Sequence, residues 1–242
     1  MQQQDYIRDL ISFSRLAGSD PNISFYSGDC VPCLEESETQ VTYNHRYLLH
    51  VGWAARILAT TRPEEHIDIG SCSYFVSIVS AFLNLKNYDI RPMDIPLPGI
   101  VTGTADLCGL PFNNKELKSI SCMHALEHVG LGRYGDPINP YGDVKAAREL
   151  SRVLSDNGNL LVVLPIGQPK IAFNAHRIYS FQYVVDSLFS NLVLKEFSFI
   201  PTDLPYRFVK NADPASTASE VEGAGCFWFT KHACADIGLS TH

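Results

Sequence analysis

No apolar run in this chain approaches the roughly 18–20 residues that a membrane-spanning helix requires, so no membrane span is expected. Basic clusters and basic stripes are missing as well. The net charge is −7. Because nucleic-acid affinity rests largely on neutralising phosphates, DNA and RNA are poor candidate partners. The opening MQQQDYIRDL carries neither the basic n-region nor the apolar h-region of a secretory signal, which points to a cytoplasmic location. The seven cysteines are an odd number, and Cys72 and Cys122 fall at the ends of expected strands; reduced thiols fit that better than a disulfide framework. Neither a GxxxxGKS/T loop nor a complete GxGxxG occurs, which argues against nucleoside triphosphates, NAD and FAD. Internal repeats and low-complexity tracts are also lacking.

What is present centres on His66 to Asp89. His66–Ile69 reads as a buried strand delivering Asp68 and Gly70 to a turn. A helix over Tyr74–Leu83 follows, with Phe75, Ile78, Val79 and Phe82 on its apolar face. A second strand ends at Asp89, 19 positions after Gly70. In doubly wound α/β folds, ligands sit beyond the carboxyl ends of the strands, and an acid at this distance takes ribose hydroxyls. Ser71, Cys72 and Ser73 stand where a pyrophosphate-binding turn needs glycines. An adenosine cofactor without phosphate tolerates the bulkier turn, and S-adenosylmethionine is the candidate.

With 242 residues and a hydrophobic fraction of 45%, the chain reads as one α/β domain, residues 63–242, behind an N-terminal helical extension, residues 1–62. Ile7, Leu10, Ile11 and Leu16 predict an amphipathic helix over 2–16; residues 17–42 read as irregular. A second helix is expected over Tyr43–Ala59, with Tyr47, Leu48, Val51, Ala54, Ala55 and Leu58 inward, ending at Pro63. Further strands are expected at Ile100–Gly103, Leu117–Met123, Asn159–Pro165, Leu192–Ile200 and Cys226–Lys231. Helices are expected from about Asp143 to Leu154 and from a Ser180 cap to Phe189, with Tyr183, Val184 and Leu188 inward, and DNG at 156–158 reads as a turn. The last two strands are separated only by a loop, which predicts an antiparallel final strand on a doubly wound, Rossmann-like seven-stranded sheet.

This order, with HIDIGS, YDIRP, TADLCGLPF, SISCMHALEHV and ELSRVLSDNGNLLVVLP, resembles the class I S-adenosylmethionine-dependent methyltransferases over about residues 65–232. More narrowly, YNHRYLLHVGWAARIL, GLGRYGDPINPYGDVKA and FNAHRIYS resemble an uncharacterised bacterial branch often found among surface-polysaccharide genes. The resemblance implies that Asp68, Gly70 and Ser71 lie under the methionine part of the cofactor. It implies that Asp89 takes the ribose hydroxyls, that Asp106 and Leu107 flank the adenine, and that Cys122, Met123 and His124 close the pocket near the sulfonium.

Methyl transfer to a hydroxyl benefits from a general base, and His124 at the end of the fourth strand is the first candidate, with Asp136 and His176 as alternatives if loops fold over the site. His124 has a bland reading too, as pocket wall or helix cap. Glu127 and His128 read as a helix-start carboxylate and a loop-bonding histidine. Arg133, Tyr134, Asp136 and Asp143 lie on the glycine-rich loop after the site strand, where substrate contacts usually sit. Asn174, His176 and Arg177 either hold a sugar or phosphate or brace that loop. Cys30, Cys33, His45 and His50 approach the spacing of a zinc finger, but Ser37 and Thr42 stand where a finger needs apolar residues, so no metal is expected. The helix carrying His45, Arg46 and Tyr47 either covers one edge of the domain or forms part of the substrate mouth. The expected activity is O-methylation of a small polar acceptor such as a sugar or nucleotide-linked glycan precursor, by a protein that is a candidate homodimer. The rivals are another sugar or phosphate chemistry on the same fold, or a non-catalytic binding or assembly subunit.

Overall fold

The computed structural model describes residues 3–17, 30, 32, 44–203 and 207–232. The chain divides into two compact units, Met1–Asn44 and His45–His242. The first contains helix α1, Gln3–Ala17, whose Ile7, Ile11 and Leu16 are exposed. Most of the segment read as irregular, 17–42, lies outside the described residues, as does Cys33.

The second unit opens with α2, His45–Thr61, followed by β1 (Glu65–Ile69), α3 (Ser73–Ser80), β2 (Asn84–Asp89), β3 (Ile100–Thr104) and β4 (Leu117–Met123). A 3-10 turn, Leu126–His128, leads through a loop to α4 (Gly142–Val153) and β5 (Leu154–Ile166). A small hairpin, β6 (Lys170–Ala172) and β7 (His176–Ile178), is followed by α5 (Phe181–Tyr183), which continues as a π-helical turn over Val184–Leu188. Strands β8 (Val193–Ile200) and β9 (Gly223–Thr230) complete the sheet.

The sheet has seven strands in the order β3-β2-β1-β4-β5-β9-β8. The first five run parallel, and β9 inserts antiparallel to both β5 and β8. This is the expected doubly wound sheet. The central strands are buried because both faces of the sheet are covered, as parallel strands require. Alternate residues of β5 divide between the two layers. Leu160, Val162 and Leu164 join Ala146, Ala147 and Leu150 of α4 and the ring cluster of Phe197, Phe227 and Phe229. Leu161 and Val163 join Val51, Ala54 and Leu58 of α2 and Phe75, Val76 and Val79 of α3.

Several local expectations are revised. DNG does not separate helix from strand: β5 already starts at Leu154, and the segment bulges between the pairs Leu117–Leu154 and Ser119–Asn159. Asn157 adopts φ +59°, and its amide donates to the Lys231 carbonyl at 2.8 Å, so the turn residues are held inside the sheet. Helix α3 stops at Ser80, and Ile78 and Phe82 point outward, because so short a helix buries only the Phe75, Val76 and Val79 stripe. Tyr47, Leu48 and Tyr183, expected inward, are exposed. Ser180 does cap its helix, accepting from the Tyr183 amide at 3.2 Å, but the helix widens to π geometry within one turn.

Candidate functional site

A cavity opens beyond the carboxyl ends of the parallel strands. Its lining includes Gly70, Asp89, Ile90, Asp106, Leu107 and Met123 together with Tyr47, His124, His128 and Tyr134.

The turn after β1 explains how a glycine-poor sequence is accommodated. Gly70 alone in this turn has positive φ, +74°, and a Cβ there would lie 2.8 Å from the Ala125 Cβ. Glycine is therefore needed at one position only. Ser71 is put to use instead: its Oγ accepts from the Met123 amide at 3.2 Å and ties the turn to the end of β4. The Cys72 carbonyl accepts from the Phe75 and Val76 amides and starts α3.

Asp68 lies fully buried behind the turn, accepting from the Ser71 amide at 3.2 Å, Asn87 Nδ2 at 2.8 Å and Ser121 Oγ. Since Ser121 donates to Asp68, it accepts from His66 Nε2 at 2.9 Å, and His66 Nδ1 accepts from Ser119 at 2.8 Å. Burial holds His66 neutral, its pKa lowered to about 3. Burial also raises the Asp68 pKa, against the opposing pull of its three donors. This relay fixes β1, β2 and β4 relative to one another at the cavity floor.

Asp89 uses Oδ1 to accept from the Arg91 amide at 2.7 Å. Its Oδ2 lies beside Gly70, 3.6 Å from where a Cβ would stand. Asp106, also in the lining, accepts from the Cys108 amide at 2.8 Å. The loop carrying Asp106 and Leu107 is clamped from α4: Glu149 accepts from the Leu110 amide at 2.9 Å, and Arg152 donates to Glu149 and to the carbonyls of Leu110 and Phe112.

His124 occupies the most constrained position, with φ +54° in a residue that has a Cβ. Its amide donates to the Val163 carbonyl at 2.9 Å, continuing the β4–β5 pairing. Nδ1 donates to Glu127 Oε1 at 2.9 Å, so the opposite nitrogen, Nε2, is the bare one; it is buried and has no hydrogen-bond partner among the described residues. The Glu127 carboxyl is buried, with Oε2 unpartnered and Oε1 3.8 Å from His128 Nε2. His50 packs edge-on to His124 with ring centres 5.1 Å apart, and Tyr47 lies 5.8 Å from the same ring. Burial lowers the His50 pKa to about 3, leaving a neutral imidazole.

The loop after the 3-10 turn is organised by Asp136, whose carboxylate accepts from the amides of Gly130, Tyr134 and Gly132 at 2.6, 3.2 and 3.4 Å. Burial raises its pKa, but the backbone donors outweigh burial and the net shift is downward. Gly130, Gly132 and Gly135 all take positive φ, and at Gly130 a Cβ would lie 2.1 Å from the Asn139 carbonyl oxygen.

Of the residues singled out from sequence, Gly70, Asp89, Asp106, Leu107, Met123, His124, Tyr134 and Asp136 line one cavity. Asp68, Ser71 and Cys122 lie buried below it. Arg177 and Asp143 are buried behind the loop: Arg177 donates to the carbonyls of Val129, Glu127 and Pro140 and lies 3.5 Å from Asp143, which accepts from the Tyr179 hydroxyl at 3.2 Å. Asn174 donates to the Leu131 carbonyl at 3.4 Å, and Arg133 to the Ala175 carbonyl at 3.1 Å. His176 lies 3.5 Å from Glu222, and its ring centre is 6.3 Å from that of His128. Cavity residues that sequence reasoning did not assign to it include Ile90, Arg91 and Cys72, while Glu127 lies behind His124 and His50 packs on its ring. Only Glu127 carried a signal, its three-residue spacing from His124. Among the described residues, no group of three or more His, Cys, Asp or Glu side chains is placed to hold a metal, and no helix is long and apolar enough to cross a membrane.

The fold is that of class I S-adenosylmethionine-dependent methyltransferases. YcgJ of Bacillus subtilis aligns with a TM-score of 0.54 at 13% identity, covering 77% of this chain and 99% of that one. A putative methyltransferase from Bacillus halodurans C-125 aligns with a TM-score of 0.52 at 15% identity, covering 76% of this chain and 99% of that one. The 1,6-didemethyltoxoflavin-N1-methyltransferase of Burkholderia thailandensis, solved with its acceptor and S-adenosylhomocysteine, aligns with a TM-score of 0.51 at 9% identity, covering 76% of this chain and 79% of that one. Residues 112–200 match a family model described as Caenorhabditis protein of unknown function, DUF268. No curated protein matches the chain. At such identities the likeness shows fold and not reaction.

Proposed function

We propose that the protein is an S-adenosylmethionine-dependent methyltransferase that methylates a hydroxyl of a small polar acceptor, a sugar or nucleotide-linked glycan precursor, in the cytoplasm. The observation that carries this reading is His124, which lines the same cavity as Asp89 and Asp106 and whose Nε2 is buried without a hydrogen-bond partner among the described residues. The cavity suits an adenosine ligand: Asp89 Oδ2 is available for ribose hydroxyls, the Asp106 carboxylate for an exocyclic amine, and Ile90 and Leu107 are apolar walls for a planar base. When bound, S-adenosylmethionine would supply an electrophilic methyl group on a sulfonium.

The chain's own contribution is to position the acceptor and accept its proton. His124 Nε2 takes the proton of the acceptor hydroxyl, and Glu127, accepting from Nδ1–H, holds the ring in the tautomer that leaves Nε2 bare. Asp136 keeps Tyr134 at the cavity through three backbone bonds. The acceptor class rests on the resemblance to the polysaccharide-associated branch. The test is incubation with S-adenosylmethionine and a panel of sugar phosphates and nucleotide sugars, read by mass spectrometry. His124→Ala is expected to lower turnover by about 10²–10⁴-fold without changing affinity for S-adenosylhomocysteine. Equal turnover in the variant would remove His124 from the chemistry.

A further inference from the structure

Two guanidinium groups share one aromatic ring, that of Tyr134, which lines the cavity together with Arg91. The Arg91 Cζ lies 4.1 Å from the centre of the Tyr134 ring, and the Arg133 Cζ lies 5.2 Å from the same centre. Both distances are within reach of cation–π attraction. Neither arginine forms an ion pair with a carboxylate among the described residues. Two cations on one ring without a carboxylate partner among the described residues stand out in a chain of net charge −7.

The arrangement is built rather than incidental. Tyr134 sits on the loop that Asp136 holds through three amides, and its ring packs edge-on against His128 with centres 5.5 Å apart. Arg133 is tethered to the Ala175 carbonyl, which also accepts from His128 Nδ1 at 2.6 Å. Arg91 follows Asp89 by two residues, and its backbone amide is the group bonded to the Asp89 carboxylate. Its side chain is therefore free to serve another ligand while its backbone supports the cofactor side of the cavity.

We infer that Arg91 and Arg133, set around Tyr134, form a binding site for a phosphoryl group of the acceptor. A guanidinium presents a planar fork of donors that matches two oxygens of one oxyanion. A single carboxylate satisfies one fork and one charge. Two forks call for at least three acceptor oxygens and about two negative charges, which a phosphate monoester or a diphosphate supplies and a neutral sugar does not. The acceptor is thus a phosphorylated or nucleoside-diphosphate-linked compound, with the phosphate held at the Tyr134 ring and its reacting hydroxyl directed inward. This site rests on the reading of the cavity as a methyltransferase centre, but its chemistry is tested separately.

The experiment is calorimetric titration of the full chain at low ionic strength with pyrophosphate, inorganic phosphate and S-adenosylhomocysteine, for the wild type, Arg91→Ala, Arg133→Ala and the double variant. Circular dichroism melting confirms that each variant is folded. The expected result is pyrophosphate binding that persists when the protein is saturated with S-adenosylhomocysteine. The affinity should fall at least tenfold in the double variant, while S-adenosylhomocysteine binds within twofold of wild type. Arg91→Lys should recover only part of the loss, because an ammonium lacks the fork. Preference for inorganic phosphate over pyrophosphate would assign a monoester, and the reverse a diphosphate. The inference is overturned if the wild type binds neither anion, if the double variant binds them equally well, or if S-adenosylhomocysteine displaces them. Loss of S-adenosylhomocysteine binding by the wild type itself would instead overturn the methyltransferase reading.

Discussion

Truncating Glu127 to alanine removes the one acceptor that fixes the His124 ring. The bond it breaks spans 2.9 Å between His124 Nδ1 and Glu127 Oε1, and both side chains are largely buried. A hydrogen bond to a charged partner contributes about 1.5–3 kcal/mol. The Glu127 Oε2 atom is already buried without a partner, so deleting the carboxyl also removes an existing penalty. A net loss of about 2 kcal/mol follows, which lowers the melting temperature by about 4–8 °C in a domain of this size. The chemical consequence is larger than the thermal one. Without the carboxylate, the imidazole proton is free to move to Nε2, the atom that has to be bare to accept a proton. Long-range nitrogen–proton correlation spectra of the labelled protein read the tautomer directly and need no acceptor. The wild type is expected to carry its proton on Nδ1, and Glu127→Ala to shift toward Nε2, with turnover down by about 10²-fold, inside the range of general base catalysis. A wild-type ring protonated on Nε2, or a tautomer unchanged in Glu127→Ala, would refute the dyad.

Three further outcomes are expected. His50 and His66, with pKa values lowered to about 3, stay neutral in the fold while the unfolded chain protonates below about 6.5. Each therefore removes up to about 1.4 kcal/mol of stability per pH unit as pH falls through that window, and the raised Asp68 pKa opposes them only partly. Urea unfolding at pH 7 and pH 5 should show a loss of about 2–4 kcal/mol, reduced in His50→Phe, whereas equal stability at both values would contradict the buried neutral state. Gly70→Ala forces a side chain into φ +74° and to within 2.8 Å of Ala125. It should cost about 1–2 kcal/mol from the backbone alone and weaken S-adenosylhomocysteine at least tenfold, and unchanged affinity would show that the turn is not part of the ligand site. Arg177→Lys keeps the charge but loses the fork to three carbonyls. A lowered melting temperature with S-adenosylhomocysteine affinity intact is expected of a loop brace, and an unchanged melting curve would oppose that role.

The sheet was legible where periodicity and burial coincide. Residues Asn159–Pro165 of β5 follow from a continuous apolar run, and β2 ends on Asp89 as the spacing from Gly70 required. Local turn signals misled at DNG, because pairing to Leu117 and Lys231 holds those residues within the sheet despite the positive φ of Asn157. The β6–β7 hairpin escaped notice because its three-residue strands are too short to show alternation. That Gly70, Asp89, Asp106 and Met123 share one cavity was readable because these residues sit at or just past strand ends of a regular α/β order. The packing of His50 on His124 was not, because His50 comes from α2, more than seventy residues before His124, and no spacing rule connects them. Arg91 escaped for another reason: only the fold brings it onto the Tyr134 ring, forty-three positions ahead.

The most direct test of the central claim is calorimetric titration of the purified protein, freed of carried-through ligand, with S-adenosylmethionine and S-adenosylhomocysteine, repeated on Asp89→Ala. Asp89 directs one carboxylate oxygen to the Arg91 amide and leaves the other beside Gly70. The account predicts micromolar binding of both compounds by the wild type and its loss in the variant, whose melting curve should stay close to wild type. A folded wild-type protein that binds neither compound, or an Asp89→Ala variant that binds them as well as wild type, would contradict it.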